Sequence, residues 1–284
     1  MKKNIFYGNI LSGDKMKQGY LIAIDLDGTL IQGFDDYDKL SFELLKKLAK
    51  DNFIVIATGR PLRSSKYYYD ILELNTPIIN YNGALVHHPK DSNFKKSMIT
   101  VNKDDVIKIF NDNKNIIDNI FCEVEDDIFL YKKQDEINSY LHLDGGVLHT
   151  GEFENILKEN PNGAIVFSKI GSEQKLEKYL INEYQDNLRI RFWDDKKYVV
   201  SEIYNPKTSK ANGLKRIIEY YNIPYEKTIS IGDGHNDIEM FNITKYSVAM
   251  GNSHPLLIEH ATHKTKSVQE NGVYHFLKDF FEIK

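Results

Sequence analysis

Two aspartates near the start of the chain have the spacing of a catalytic pair. Asp25 and Asp27 stand one residue apart in "AIDLDGTL", directly after a short apolar run. Two like charges this close cost free energy unless a cation or a proton lies between them. One carboxylate can attack an electrophile while the other gives or takes the proton. The competing interpretation is an ordinary turn, because Asp-Gly is a common turn dipeptide.

Further polar residues follow other apolar runs of the chain. They share a position at the predicted carboxyl end of a strand, which is where ligands bind in open α/β sheets. They are Thr58, Gly59 and Arg60 in "ATGR", Asn82 and Gly83 in "NYNGA", and Asp233, Asn236 and Asp237 in "GDGHND". If these strands are parallel neighbours, residues far apart in the chain meet in one crevice.

A carboxylate cluster formed in this way predicts a bound divalent cation. Oxygen ligands with no cysteine nearby favour a hard ion, and Mg²⁺ fits best. The cation would let the anionic Asp25 approach a phosphate group and form an acyl-phosphate, with Asp27 moving the proton. Thr58 could hydrogen-bond a phosphate oxygen, and Lys210 could neutralise phosphate and nucleophile together.

Each of these segments has an ordinary structural explanation when it is taken alone. "TGR" carries little information, a lysine such as Lys210 is usually solvated, and Asn236 or Asp237 could simply cap a helix. The four segments together, each after an apolar strand or at a helix start, favour a phosphate site. Gly28, Gly59 and Gly234 would let backbone N–H groups approach the anion.

The elements that must position these residues alternate between strand and helix. Apolar runs and helical spacing predict strands at 20–25, 53–60, 76–86, 228–234 and 246–252, and helices at 36–52, 61–75, 209–222, 236–242 and 255–261. The third of these strands is predicted to end in a turn. This alternation predicts an α/β fold with a doubly wound parallel sheet.

The middle of the chain has a different rhythm. A hairpin is predicted at 118–133, strands at 162–170 and 188–204, and a helix at 172–184, which is typical of an antiparallel α+β unit. We therefore predict a discontinuous Rossmann-like core, residues 1–87 and 198–284, with an α+β domain inserted at 88–197. Residues 1–19 are interpreted as an extension or an extra edge element.

The composition limits the classes of function. The 284 residues carry a formal charge of −4, which argues against a dedicated nucleic-acid binder. No apolar stretch approaches the length of about 20 residues that a membrane span needs. The single cysteine, Cys122, excludes an intrachain disulfide, and we expect it to be a buried hydrophobic residue. We expect a cytoplasmic protein, monomeric or weakly homo-oligomeric, that binds a small phosphorylated metabolite and neither nucleic acid nor membrane.

These motifs resemble those of the haloacid dehalogenase (HAD) superfamily of phosphatases. "DLDGTL" matches its first motif, Thr58 its second, Lys210 its third and "GDGHNDIEM" its fourth. "ATGRP", "NYNGA" and "IGDGHNDIEMF" are similar to the Cof-type, or IIB, branch, in which a large α+β cap follows the third core strand. The branch usually has Gly after the motif-three lysine. Here Ala211 follows, which leaves Lys207 as a nearby competitor for that role.

The resemblance implies a role for each matching residue. Asp25 would be the nucleophile and a Mg²⁺ ligand, and Asp27 the general acid and base, with its backbone carbonyl on the metal. Asp233 would be a further ligand, and Asp237 would support the metal site or Lys210. Thr58 and Lys210 would hold the phosphoryl group. The residues expected to bind phosphate or substrate are Gly28, Gly59, Arg60, Asn82 and Asn236.

The function expected from this resemblance is a Mg²⁺-dependent phosphatase that acts on sugar phosphates and related small metabolites through an aspartyl-phosphate. The alternatives are a phosphomutase or phosphotransferase on the same scaffold, and a non-catalytic metabolite-binding regulator.

Several residues of the inserted domain could contact a substrate. The glycine-rich stretch 142–153 could be a mobile loop that carries His142 and His149, although these histidines could also be ordinary surface residues. Arg189, Arg191 and Trp193 could grip a polar substrate or form the solvated face of a strand.

Overall fold

The computed structural model describes residues 17–33, 36–193 and 195–283. The predicted extension or edge element at 1–19 lies outside the described residues except for its last three positions. The strands are β1 Leu21–Ile24, β2 Phe53–Ile56, β3 Ile78–Asn80, β4 Leu85–His87, β5 Ser97–Met98, β6 Ile117–Val124, β7 Asp127–Leu130, β8 Val147–Thr150, β9 Ala164–Ser168, β10 Arg189–Trp193, β11 Val199–Tyr204, β12 Thr228–Gly232, β13 Tyr246–Ala249 and β14 His263–Lys264.

Helices alternate with most of these strands. The helices are α1 Lys39–Leu48, α2 Leu62–Ile71, α3 Lys103–Asp112, α4 Asn138–Leu141, α5 Phe153–Ile156, α6 Glu173–Tyr184, α7 Lys210–Tyr221, α8 Ile238–Phe241, α9 Pro255–His260 and α10 Gly272–Phe280. No helix within the described ranges is both long enough and apolar enough to cross a membrane.

A five-stranded parallel sheet lies at the centre of one part of the fold. Its order is β14-β13-β12-β1-β2, and β3 continues it through a parallel bridge between Ala57 and Ile79. Successive strand residues point to opposite faces, so Ile22 and Ile24 pack in one apolar core while Leu21 and Ala23 pack in another. Helices α1, α2 and α10 cover the first face, and α7 and α8 cover the second. The predicted doubly wound α/β fold is confirmed.

The other part of the fold is built on a six-stranded sheet. Its strand order is β10-β11-β9-β6-β7-β8. Its pairs are antiparallel except for β7 with β8. The predicted hairpin at 118–133 is confirmed, with Val124 paired to Asp127. Helices α3 and α6 bury one face of the sheet, and the opposite face, which carries Phe121, Ile165 and Val200, borders the cavity described below.

Strand β11 belongs to the six-stranded sheet, although the core is predicted to resume at residue 198. Strand β11, Val199–Tyr204, pairs with β9 and β10. Cross-strand hydrogen bonds bind β11 into this sheet, so we propose that the core resumes after Tyr204 rather than at residue 198. The division at 87/88 stays a prediction.

Two local expectations differ from the structure. The strand predicted at 76–86 is two strands, because Tyr81 and Asn82 both take positive φ values, 48° and 52°, and reverse the chain so that β4 runs antiparallel to β3. The stretch 142–153, a candidate for a mobile loop, contains strand β8, which pairs in register with β7. Pairing with another strand decided both outcomes, β4 with β3 directly across the turn and β8 with β7.

Candidate active site

The candidate residues lie where the parallel strands end. Strand β1 is in register with β2 on one side and β12 on the other, so the residues after Ile24, Ile56 and Gly232 reach the same edge. A cavity of about 490 Å³ lies between this edge and the six-stranded sheet. The predicted site residues that line it are Asp25, Asp27, Gly59, Arg60, Asn82, Asp233 and Asn236.

Four of the predicted site residues do not line the cavity. Lys210 and Asp237 are fully buried and reach the cavity only through Asp25 and Asp233. Thr58 is also buried, and its Oγ1 accepts a hydrogen bond from the Arg60 backbone N–H at 3.1 Å. Gly28 leaves space for the carboxylate of Asp233, as described below.

Lys210 joins two of the predicted carboxylates. Its Nζ donates to Asp25 Oδ1 at 2.7 Å and to Asp237 Oδ1 at 2.6 Å. The lysine is the first residue of helix α7, and the Ser209 hydroxyl caps that helix by accepting from the Asn212 backbone N–H. The structure thus places Lys210 in the carboxylate cluster, whereas the competitor Lys207 is exposed.

The charges of this cluster oppose one another. Burial raises the pKa of Asp25 well above its ordinary value, Lys210 lowers it, and the neighbouring Asp237 raises it further. Burial alone would lower the pKa of Lys210, yet Asp237 and Asp25 raise it above its ordinary value. Burial and the charge of Asp237 raise the pKa of Asp233 to about 7. One buried lysine therefore does not balance three carboxylates, and an added cation would stabilise their charged forms.

Carboxylate oxygens of Asp25, Asp233 and Asp237 lie within 4.8 Å of one another. Asp237 uses both of its oxygens inside the protein, because Oδ1 accepts from Lys210 and Oδ2 accepts from the backbone N–H groups of Asp233 and Gly234. All-oxygen donors of this kind fit a hard divalent ion. The chemistry of the donor set therefore suits a metal held mainly by Asp25 and Asp233.

Gly28 is required by the position of Asp233. It has φ of +74°, and an added Cβ would lie 2.1 Å from Asp233 Oδ2. The Thr29 hydroxyl donates to Asp233 Oδ1 at 3.1 Å, and the side chain of Asn252 donates to the Gly28 carbonyl at 2.8 Å. The "DG" turn thus exists, but its glycine also makes room for a carboxylate from another strand.

Asp27 does not join the other carboxylates. Arg60 Nε donates to Asp27 Oδ2 at 2.8 Å, and Arg60 Nη2 donates to Asp27 Oδ1 at 2.6 Å, a two-pronged ion pair. Arg60 is buried, and its remaining nitrogen, Nη1, has no hydrogen-bond partner among the described residues. The guanidinium thus has a donor left for a further anion.

The inserted sheet contributes residues that sequence reasoning missed. They are Glu123, Asn162 and Glu202, which line the cavity, together with Arg63 of helix α2, which binds Glu123. A signal was available for the glutamates, because each is a charged residue inside a largely apolar run, "IFCEV" and "VVSEIY". The sequence does not show which face of each strand points to the core.

The predicted substrate-contacting residues of the inserted domain divide into two groups. His142 and Trp193 line the cavity, whereas His149 pairs with Asp127 at 2.6 Å. Burial, and then the charge of Arg60, lower the pKa of His142 to about 4, so it is neutral near pH 7. Arg189 pairs with Asp186 at the surface. Cys122 is buried, as predicted.

Comparisons with known proteins identify the family of this chain. The family of haloacid dehalogenase-like hydrolases matches residues 22–277. The 5-amino-6-(5-phospho-D-ribitylamino)uracil phosphatase YitU of Bacillus subtilis (strain 168) is 32% identical over 266 residues, which cover 93% of this chain and 98% of that protein. The chain therefore belongs to the haloacid dehalogenase-like hydrolases, and it is a phosphomonoesterase.

Solved structures share the fold. A haloacid dehalogenase-like hydrolase from Bacteroides thetaiotaomicron has a TM-score of 0.79 at 21% identity, with 93% of this chain and 100% of that chain covered. A subclass IIB sugar phosphatase of the superfamily has a TM-score of 0.75 at 22% identity, with 92% and 98% covered. The predicted Cof-type resemblance is confirmed, and the six-stranded domain is hereafter called the cap.

Arg63 ties the cap to the core. It makes a buried ion pair with Glu123, and its Nη2 and Nε donate to the carbonyls of Leu141 at 3.1 Å and His142 at 2.9 Å. Breaking a buried pair by removing one partner leaves an uncompensated charge. We expect Arg63→Met to lower the free energy of unfolding by about 3 kcal/mol in denaturant titrations.

A matched control for this variant lies on the same helix. Lys66 pairs with Asp70 at the exposed surface of α2, and we expect Lys66→Met to change the free energy of unfolding by less than about 0.5 kcal/mol. Equal effects of the two substitutions would show that the Arg63 pair does not stabilise the contact between the cap and the core.

Proposed function

We propose that this chain is a Mg²⁺-dependent phosphatase that works through an aspartyl-phosphate on Asp25. One observation carries the proposal. Lys210 holds Oδ1 of Asp25, while Oδ2 has no hydrogen-bond partner among the described residues and belongs to a side chain that lines the cavity. A carboxylate oxygen fixed in this way is oriented for attack on a substrate phosphorus.

The proposed metal site uses the side chains of Asp25 and Asp233 and the backbone carbonyl of Asp27. We assign Asp237 a supporting role, because Lys210 and two backbone N–H groups already occupy its oxygens. When bound, Mg²⁺ would reduce the repulsion between the Asp25 carboxylate and the phosphate and stabilise the charge that develops on the phosphoryl oxygens.

The proposed reaction has two displacements. Asp25 Oδ2 attacks phosphorus, the bond from phosphorus to the ester oxygen breaks, and Asp27 gives its proton to that leaving oxygen. Asp27 then takes a proton from water, the resulting hydroxide attacks the phosphorus of the aspartyl-phosphate, and Asp25 leaves as a carboxylate. Since Arg60 occupies both oxygens of Asp27 in this structure, their ion pair must separate before the proton moves. Arg60 then becomes available to the phosphate.

The proposed substrates are small phosphorylated metabolites whose leaving group enters the cap side of the cavity. Sugar phosphates are one class. The relative from Bacillus subtilis acts on 5-amino-6-(5-phospho-D-ribitylamino)uracil, and that compound is a second candidate for this chain. The cavity of about 490 Å³ is lined by Phe121, Tyr140 and Trp193, and aromatic side chains of this kind pack well against a planar ring.

Phosphate release with added Mg²⁺ and with chelator tests the proposal. We expect activity only with the metal, and we expect Asp233→Asn to raise the Mg²⁺ concentration for half-maximal activity by at least about 10-fold. Asp279→Asn is a control, because Asp279 is exposed on α10. Full activity in the presence of chelator, or an unchanged Mg²⁺ requirement in Asp233→Asn, would contradict the metal assignment.

A further inference from the structure

A buried carboxylate in the cap has one oxygen with no partner. Glu202, on strand β11, is only 8% exposed and lines the cavity. Its Oε2 accepts a hydrogen bond from Asn82 Nδ2 at 3.0 Å and lies 3.2 Å from Arg191 Nε, a charge contact without hydrogen-bond geometry. Within the described residues, Oε1 has no hydrogen bond. Asn82 in turn accepts from Asn236 Nδ2 at 2.9 Å, so Glu202 is fixed directly above the core site.

The partners that Glu202 has within the described residues all use one oxygen, Oε2. Arg191 compensates the buried charge, and Asn82 donates the hydrogen bond. The other buried glutamate of the cap, Glu123, also has a charged partner, Arg63. Glu202 therefore retains an acceptor that the protein itself does not use.

A donor without a partner lies in the same cavity. Asn162 is 6% exposed and lines the cavity, and its Nδ2 has no hydrogen-bond partner among the described residues. Its backbone N–H donates to the Glu123 carbonyl at 3.1 Å, which fixes it just before strand β9. Buried polar groups are nearly always hydrogen-bonded, so an unsatisfied donor and an unsatisfied acceptor in one cavity indicate a ligand that completes both.

We propose that Glu202 and Asn162 form a leaving-group subsite. Glu202 Oε1 accepts from a hydroxyl or amino group of the substrate, and Asn162 Nδ2 donates to a carbonyl or hydroxyl oxygen. The substrate class is then a phosphomonoester whose leaving group carries both a donor and an acceptor, such as a polyol or an amino-substituted heterocycle. Simple alkyl and aryl phosphates leave both groups unpaired and react more slowly. This inference rests on the proposed function.

The test compares two substrates in each variant. The first is the best substrate from a panel of sugar, polyol and aminopyrimidine phosphates, and the second is p-nitrophenyl phosphate, whose leaving group carries no hydrogen-bond donor. The readout is the ratio of the two kcat/KM values. We expect Glu202→Gln to lower that ratio roughly 10- to 100-fold, and Asn162→Ala to lower it about 5-fold. Glutamine keeps the acceptor for Asn82 and presents an N–H₂ group where Oε1 was, so the hydrogen bond between position 202 and Asn82 is kept.

The controls separate this inference from the activity itself. Glu177→Gln, on the exposed face of helix α6, should leave the ratio unchanged. An equal fall on both substrates in Glu202→Gln would assign Glu202 to holding the cap, and an unchanged ratio, or a native enzyme with no preference for the donor-bearing substrate, would also overturn the subsite. If the native chain shows no metal-dependent turnover on any substrate of the panel, the proposed function itself is refuted.

Discussion

Asp25→Asn is expected to lower kcat by roughly 10⁴-fold or more, since it removes the attacking oxygen anion and leaves only binding and electrostatic stabilisation of the transition state. Asparagine has the same shape, and its amide oxygen can still accept from Lys210 Nζ, which donates to Asp25 Oδ1 at 2.7 Å in the native chain. Asp237 remains as an anionic partner of the lysine. The substitution should therefore remove turnover without unfolding the protein.

Single-turnover measurements with ³²P-labelled substrate make this result specific. The native enzyme should form an acid-stable, base-labile phosphoenzyme that contains Asp25, and Asp25→Asn should form none. Circular dichroism of the variant should match that of the native chain. Asp36→Asn is a suitable control because Asp36 is exposed. Turnover within 10-fold of native in a folded Asp25→Asn protein would refute Asp25 as the nucleophile.

Lys210→Met is expected to have the largest effect on stability. The lysine is fully buried between Asp25 and Asp237, with side-chain exposures of 0%, 9% and 0% respectively. Its removal leaves two buried carboxylates without a cation, and breaking such a pair costs about 3 to 5 kcal/mol. Activity should fall as well, because the proposed phosphate contact is lost.

The pH dependence of this loss has a definite sign. Burial, with the neighbouring carboxylates, already raises the pKa of Asp25 with the lysine present, and removing the cation raises that pKa further. A carboxyl group whose pKa is higher in the folded state costs little free energy of unfolding while it is protonated. The loss of free energy of unfolding grows as the pH rises through that pKa and the group becomes charged. The deficit of Lys210→Met in the free energy of unfolding should therefore be larger at pH 8 than at pH 5.

A neighbouring lysine provides the matched control. Lys207 lies three residues earlier and is exposed, so Lys207→Met should change the free energy of unfolding by less than about 0.5 kcal/mol at either pH. Denaturant titrations of both variants at the two pH values give the comparison. Similar effects at Lys207 and Lys210 would mean that the carboxylate cluster does not depend on Lys210.

The sequence by itself determined the fold class, the family and the set of candidate residues in the core. Apolar runs such as "LIAI" and "TISI" form buried strands because every residue in them can face a core. Polar residues and glycines directly after those runs must lie at the carboxyl edge of the sheet. These are local relations between neighbouring residues, and they can be seen in one sequence.

Only the tertiary structure decided how these residues contact one another. Asp27 pairs with Arg60 and not with the other carboxylates, Asp237 binds Lys210 from behind, and Glu202 meets Asn82 across the cap interface. Each contact joins segments far apart in the chain, and its existence depends on strand register and on where the cap sheet lies over the core. A pattern within one segment reports which faces of that segment are apolar, but it contains no information about the opposing segment.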